Sequence, residues 1–148
     1  MAEIMTAQAT LQAGLHFVAE SGSGHSVMLD ADRHGGFRPM ELLLVGLAGC
    51  TGMDVISILR KQHQQVTAYE VRVRGVRAEE HPMVFVEITV EHIVTGHHIQ
   101  PEAVDRAIQL SERRYCGAGA MLGKVAYLTH TYRIVEAAVL PVEATPHA

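Results

Sequence analysis

Residues 39–59, PMELLLVGLAGCTGMDVISIL, are apolar on almost every side of a helix. Pro39 suits a first helical position and Glu41 complements the positive end of the helix dipole, so the stretch predicts a helix from Pro39 to about Gln62. A helix apolar all round must be covered all round. The uncharged run Leu42 to Met53 falls short of the roughly 18 residues that span a membrane, so protein rather than lipid is the expected cover. The rest of a 148-residue chain has to supply it.

Residues 11–19 alternate apolar and polar and read as a strand. The turn SGSG at 21–24 and the strand HSVMLD then complete a hairpin, and residues 31–37 form a loop. Residues 66–78 read as a half-exposed strand, and Val84, Val86, Ile88 and Val90 mark an antiparallel neighbour. PEAVDRAIQLSERRYC is an amphipathic helix with Val104, Ala107, Ile108, Ser111 and Tyr115 on one face. It stops at CGAGA, placing Cys116 at a helix break, before a short helical segment and a last strand over 126–136.

The expected fold is α+β, an antiparallel sheet packed on a long buried central helix, in a single domain over 1–148 with residues 137–148 as a frayed tail. One sheet and one amphipathic helix cover only part of the central helix. A second copy is expected to cover the rest, giving a homodimer.

Hydrophobic residues at 48% and charged residues at 19% describe a folded globule. A net charge of −4 without a run of Lys or Arg points away from nucleic acid and membrane surfaces as partners. The first fourteen residues lack a basic start and an apolar core of signal-peptide length, so a reducing, cytoplasmic location is expected. Two cysteines, Cys50 and Cys116, make neither a disulfide scaffold nor a four-cysteine zinc site. They act as a pair, as one reactive thiol, or as small core residues.

His92 with His97 and His98 raises the question of a metal, but adjacent histidines at a strand end point apart, and a surface turn with no metal is the better reading. His130 shares a face with Leu128 and Tyr132 and reads as a core histidine, with a base near a site as the alternative. Asp54 lies on the helical face of Cys50 and reads as structural.

The run P-x-E-L-L-L-x-x-L-A-x-C-T-x-M-D-V from Pro39 to Val55, followed later by S-E-R-R-Y-C ending at Cys116, resembles the OsmC/Ohr superfamily, nearest to its YhfA-type branch. The resemblance implies an intertwined dimer with interfacial sites and a thiol-dependent reduction of organic hydroperoxides or hydrogen peroxide. On that likeness Cys50 is the peroxidatic thiol and Cys116 the resolving one, recycled by an external dithiol without metal or organic cofactor. The chemistry calls for such a pair, because a sulfenic acid is trapped by a second thiol before over-oxidation. The peroxidase members also carry a glutamate on the cysteine helix and an arginine in the early hairpin. Here Met40 holds the glutamate position and the hairpin has no arginine, which leaves Glu41 and Arg38 as candidates to activate Cys50. The alternative function is a non-catalytic relative that binds an apolar small molecule and keeps its thiols unactivated.

Overall fold

The computed structural model describes residues 1–138, which form two compact units divided after Gly46. The part of the expected tail beyond residue 138 lies outside the described residues. In the first unit β1 (Ala7–Ala13), β2 (His16–Ser21) and β3 (Ser26–Asp30) form an antiparallel sheet in that order. The stretch 11–19, expected as one strand, is cut by a tight turn at Gly14, whose φ of +54° is one that side chains disfavour. A two-residue turn keeps the alternation in phase, so periodicity alone passes straight through it. After β3, the Asp30 carboxylate accepts the Asp32 and Gly35 N–H groups at 2.9 and 3.0 Å and folds the loop back. Those two N–H groups hold its carboxyl below the usual range.

Helix α1 (Pro39–Lys61) starts at the expected proline. Glu41 accepts the Arg38 N–H at 2.7 Å, closing the first turn. Within one chain α1 is buried along a single stripe, Leu47, Thr51, Val55 and Leu59 at i+4 spacing, with Gly52 beside it. Leu43, Val45 and Met53 stay 46%, 50% and 74% exposed, so the described residues of one chain cover only part of α1.

In the second unit β4 (Gln65–Arg77), β5 (Phe85–His97) and β6 (Tyr127–Glu136) form the second sheet. β4 and β5 pair antiparallel as expected. β6 joins β5 in parallel, because the chain between them returns through a helical crossover rather than a hairpin. The sheet is therefore mixed. A bulge where Arg77 pairs with Phe85 while Val76 pairs with Glu87 inverts the alternation. Phe85 is consequently buried and Val84 and Val86 exposed, the reverse of the face expected there, while Ile88 and Val90 are fully buried.

The crossover consists of α2 (Pro101–Leu110), a π-helical turn (Ser111–Tyr115) and α3 (Gly117–Leu122). Val55 and Leu59 of α1 pack with Val94, Ile99, Val104, Ala107 and Ile108 as the core. Each Val, Leu or Ile side chain among these contributes about 1.5–3 kcal/mol on burial. The wider π turn changes the angular position of its last residues, so Tyr115, expected on the buried face, is 54% exposed.

Candidate active site

Cys50 lies on α1, half-buried, and Cys116 is buried between the π turn and α3. The Cys116 N–H donates to the Ser111 carbonyl at 2.8 Å, and its own backbone is extended, so the chain leaves the π turn sharply. Its sulfur accepts the Gly119 N–H at 3.2 Å and caps α3. A Cβ at Gly119 would stand 3.4 Å from that sulfur and 3.7 Å from Leu47 Cδ1, so α3 begins directly against α1 one turn before Cys50. Both thiols are free, and Cys50 lies near enough to Cys116 for its thiol to add to the upward shift of Cys116.

Burial pushes the Cys116 thiol up to about 11. The Gly119 N–H works against this, while Cys50 and Asp54 add to it. Cys116 is therefore a thiol, not a thiolate, at neutral pH.

A buried hydroxyl chain fixes the junction to α1. Ser111 Oγ donates to Asp54 Oδ2 at 2.8 Å. Its single proton is thereby committed, so Thr51 Oγ1 donates to Ser111 at 2.9 Å. Hydrogen bonds to a charged group contribute about 1.5–3 kcal/mol. Asp54 thus has the structural role expected for it.

Beside this junction runs a second chain of polar groups. Tyr69 Oη lies 2.6 Å from His92 Nδ1, and His92 Nε2 lies 3.0 Å from His130 Nδ1. Tyr69 borders α1, because a Cβ at Gly52 would come 3.8 Å from its ring and 3.2 Å from Val71 Cγ2. Gly52 is therefore the glycine that close approach requires; Gly46 and Gly49 face open space among the described residues. His92 is fully buried, and burial together with the proximity of His130 pushes it down to about 4. Burial also lowers His130, with Glu112 pulling the other way. Burial raises Tyr69, and Asp54 adds to the effect. His92 thus lies inside β5, while His97 ends that strand and His98 follows it. His130 is both part of this chain and a wall of a cavity of about 370 Å³ that it shares with Cys116, Glu112, Lys124 and Tyr127.

A larger groove of about 860 Å³ lies along α1 and α2, lined by Met53, Ile58, Ala103, Leu110 and Tyr115 with Asp54 at its wall. The structure places Cys116 against α1 in the neighbourhood of Cys50. Glu41 is committed to the N-terminus of α1, and among the described residues neither Arg38 nor Glu41 forms a side-chain ion pair. Sequence alone does not single out Thr51, Ser111, Tyr69 or His92 as members of this site. The available signal is parity, since His92 falls in step with Val90 and Val94, both fully buried.

Residues 31–130 match the family model described as OsmC-like protein, and the chain belongs to that family. It is 41% identical over 125 residues to protein YhfA of Escherichia coli K12, covering 84% of this chain and 93% of that protein. A hypothetical protein from Aquifex aeolicus VF5 superposes with a TM-score of 0.84 at 27% identity, covering 93% and 100% of the two chains. The organic hydroperoxide resistance protein OhrB of Bacillus subtilis shares the fold, with a TM-score of 0.61 at 16% identity over 88% and 98% of the chains.

Proposed function

We propose that the chain is a thiol-dependent hydroperoxide reductase that works as a homodimer. The observation that carries this reading is the approach of two free thiols, Cys50 on α1 and Cys116 at a helix break whose following helix starts against Leu47 of α1. The sulfur of Cys50, as thiolate, attacks the distal peroxide oxygen. An S–O bond forms, the O–O bond breaks, and the alkoxide leaves as the alcohol after taking a proton. Cys116 then attacks the Cys50 sulfur of the sulfenic acid, hydroxide departs as water, and a disulfide closes. An external dithiol restores both thiols by exchange.

The exposed α1 face supports dimerisation, and the apolar groove along α1 suits the organic part of a hydroperoxide. The test is peroxide consumption with a dithiol reductant. Cys50→Ser is expected to be inactive, and Cys116→Ser to consume about one equivalent and stop at a Cys50 sulfenic acid. Wild type no faster than Cys50→Ser would remove the reading.

One observation favours a second reading. Glu41 is committed to capping α1, which leaves the groove as the site of an apolar ligand and the thiols as packing groups. Saturable binding of a long-chain fatty acyl probe without peroxide consumption would select it.

A further inference from the structure

The chain Tyr69–His92–His130 begins beside α1 at Gly52 and ends in the wall of the cavity that holds Cys116. We infer that it is a proton relay for Cys116, in which His130 is the base and His92 and Tyr69 are positioning residues. The inference rests on Cys116 being the thiol that closes the disulfide.

Hydrogen-bond inventory carries the argument. A neutral histidine has one N–H and one bare nitrogen. His92 uses both nitrogens, toward Tyr69 and toward His130, so fixing one bond fixes the other. Two neutral settings satisfy it. In the first, Tyr69 donates to His92 Nδ1, His92 Nε2–H donates to His130 Nδ1, and His130 carries its proton on Nε2. In the second, His130 Nδ1–H donates to His92 Nε2, His92 Nδ1–H donates to Tyr69 Oη, and His130 Nε2 is bare. The second setting leaves His130, a wall residue of that cavity, with a bare nitrogen.

Cys116 needs one, since burial keeps it protonated while its attack on a Cys50 sulfenic acid requires the sulfur lone pair freed from its proton. His130 Nε2 takes that proton and releases the one on Nδ1 to His92 Nε2. His92 passes its Nδ1 proton to Tyr69, and Tyr69 gives up its own hydroxyl proton on the α1 side to the hydroxide that leaves Cys50. The relay ends in its first setting with every member neutral. The hydroxide leaving Cys50 takes up one proton to become water, so the step is proton-neutral overall. The charged groups around the relay are Glu112 of the π turn and Lys124 of the segment before β6 at the cavity, and Asp54 of α1 near Tyr69.

The experiment follows closure of the Cys50–Cys116 disulfide by stopped flow across pH, driven by diamide, a diazene that takes up the two electrons and two protons of the thiol pair. His130→Asn keeps a hydrogen-bonding atom near the Nδ1 position and removes Nε2. It is expected to slow closure about a hundredfold near neutrality and to convert the profile to a rise of about tenfold per pH unit, as hydroxide replaces the lost base. Tyr69→Phe, which keeps the packing, is expected to slow closure about tenfold. A His130→Asn profile within about twofold of wild type overturns the relay, and if that variant does not fold an unchanged Tyr69→Phe profile does the same. Wild type that closes with diamide but spares peroxide removes the peroxidase reading alone. Wild type that fails to close with diamide removes both.

Discussion

His92 is surrounded by protein and holds two hydrogen bonds that a proton would rearrange. Its folded value of about 4 lies below the usual 6.5, so the folded chain binds fewer protons than the unfolded one. The stability this provides is complete above pH 6.5 and is lost as the pH falls toward 4, at most roughly 3 kcal/mol. His130 is shifted in the same direction. Unfolding free energies from urea titrations at pH 7.5 and 4.5 are expected to fall further for wild type than for His92→Phe, by roughly 2–3 kcal/mol. Parallel falls would place the acid sensitivity elsewhere. At this scale the placement of Cys50 and Asp54 on one helix and of Cys116 at a helix break was legible, because an apolar helical run and a glycine-marked break are written in the local sequence. His92 was not, since its partners Tyr69 and His130 are distant in sequence and become neighbours only through the pairing of β4, β5 and β6.

The crossover depends on the π turn, which aims Cys116 by adding one residue to the last turn of the helix that begins as α2, before the chain turns out at Cys116. Deleting Arg113, which is exposed, is expected to restore the α-helical period and swing the residues beyond it by about 100°. The diamide-driven disulfide should then be lost while alkylation still counts two thiols; retention of the disulfide at the wild-type rate would show that the turn does not aim Cys116. A π turn leaves no mark in a 3.6-residue pattern, which is why helical periodicity puts Tyr115 on the wrong face. α1 and β4 were legible to within a residue or so because each pattern is long and uninterrupted. The bulge opposite Phe85 and the turn at Gly14 were not, the first because it inverts alternation and the second because it preserves it. The parallel pairing of β6 was hidden for another reason: strand direction belongs to the connection, not to the strand.

Among Met1–Gly46 the sole buried residue is Asp30, and every residue of β1 is exposed, Leu11 at 56%. A three-stranded sheet without a buried apolar face has little to hold it, so this unit needs a covering surface. Light scattering is expected to give twice the 16.1 kDa chain mass, and Leu11→Glu with Val45→Glu to halve it or unfold the first unit. A wild-type monomer at micromolar concentration would contradict the homodimer. Within the second unit, the two thiols bound the segment that contains β4, β5 and α2. Closing them into a disulfide would turn most of that unit into a covalent ring, stabilised by about 4 kcal/mol through the restricted unfolded chain. Oxidation would then be written into the melting temperature itself, and a reductant that opens the ring would have to overcome the fold as well as the sulfur–sulfur bond.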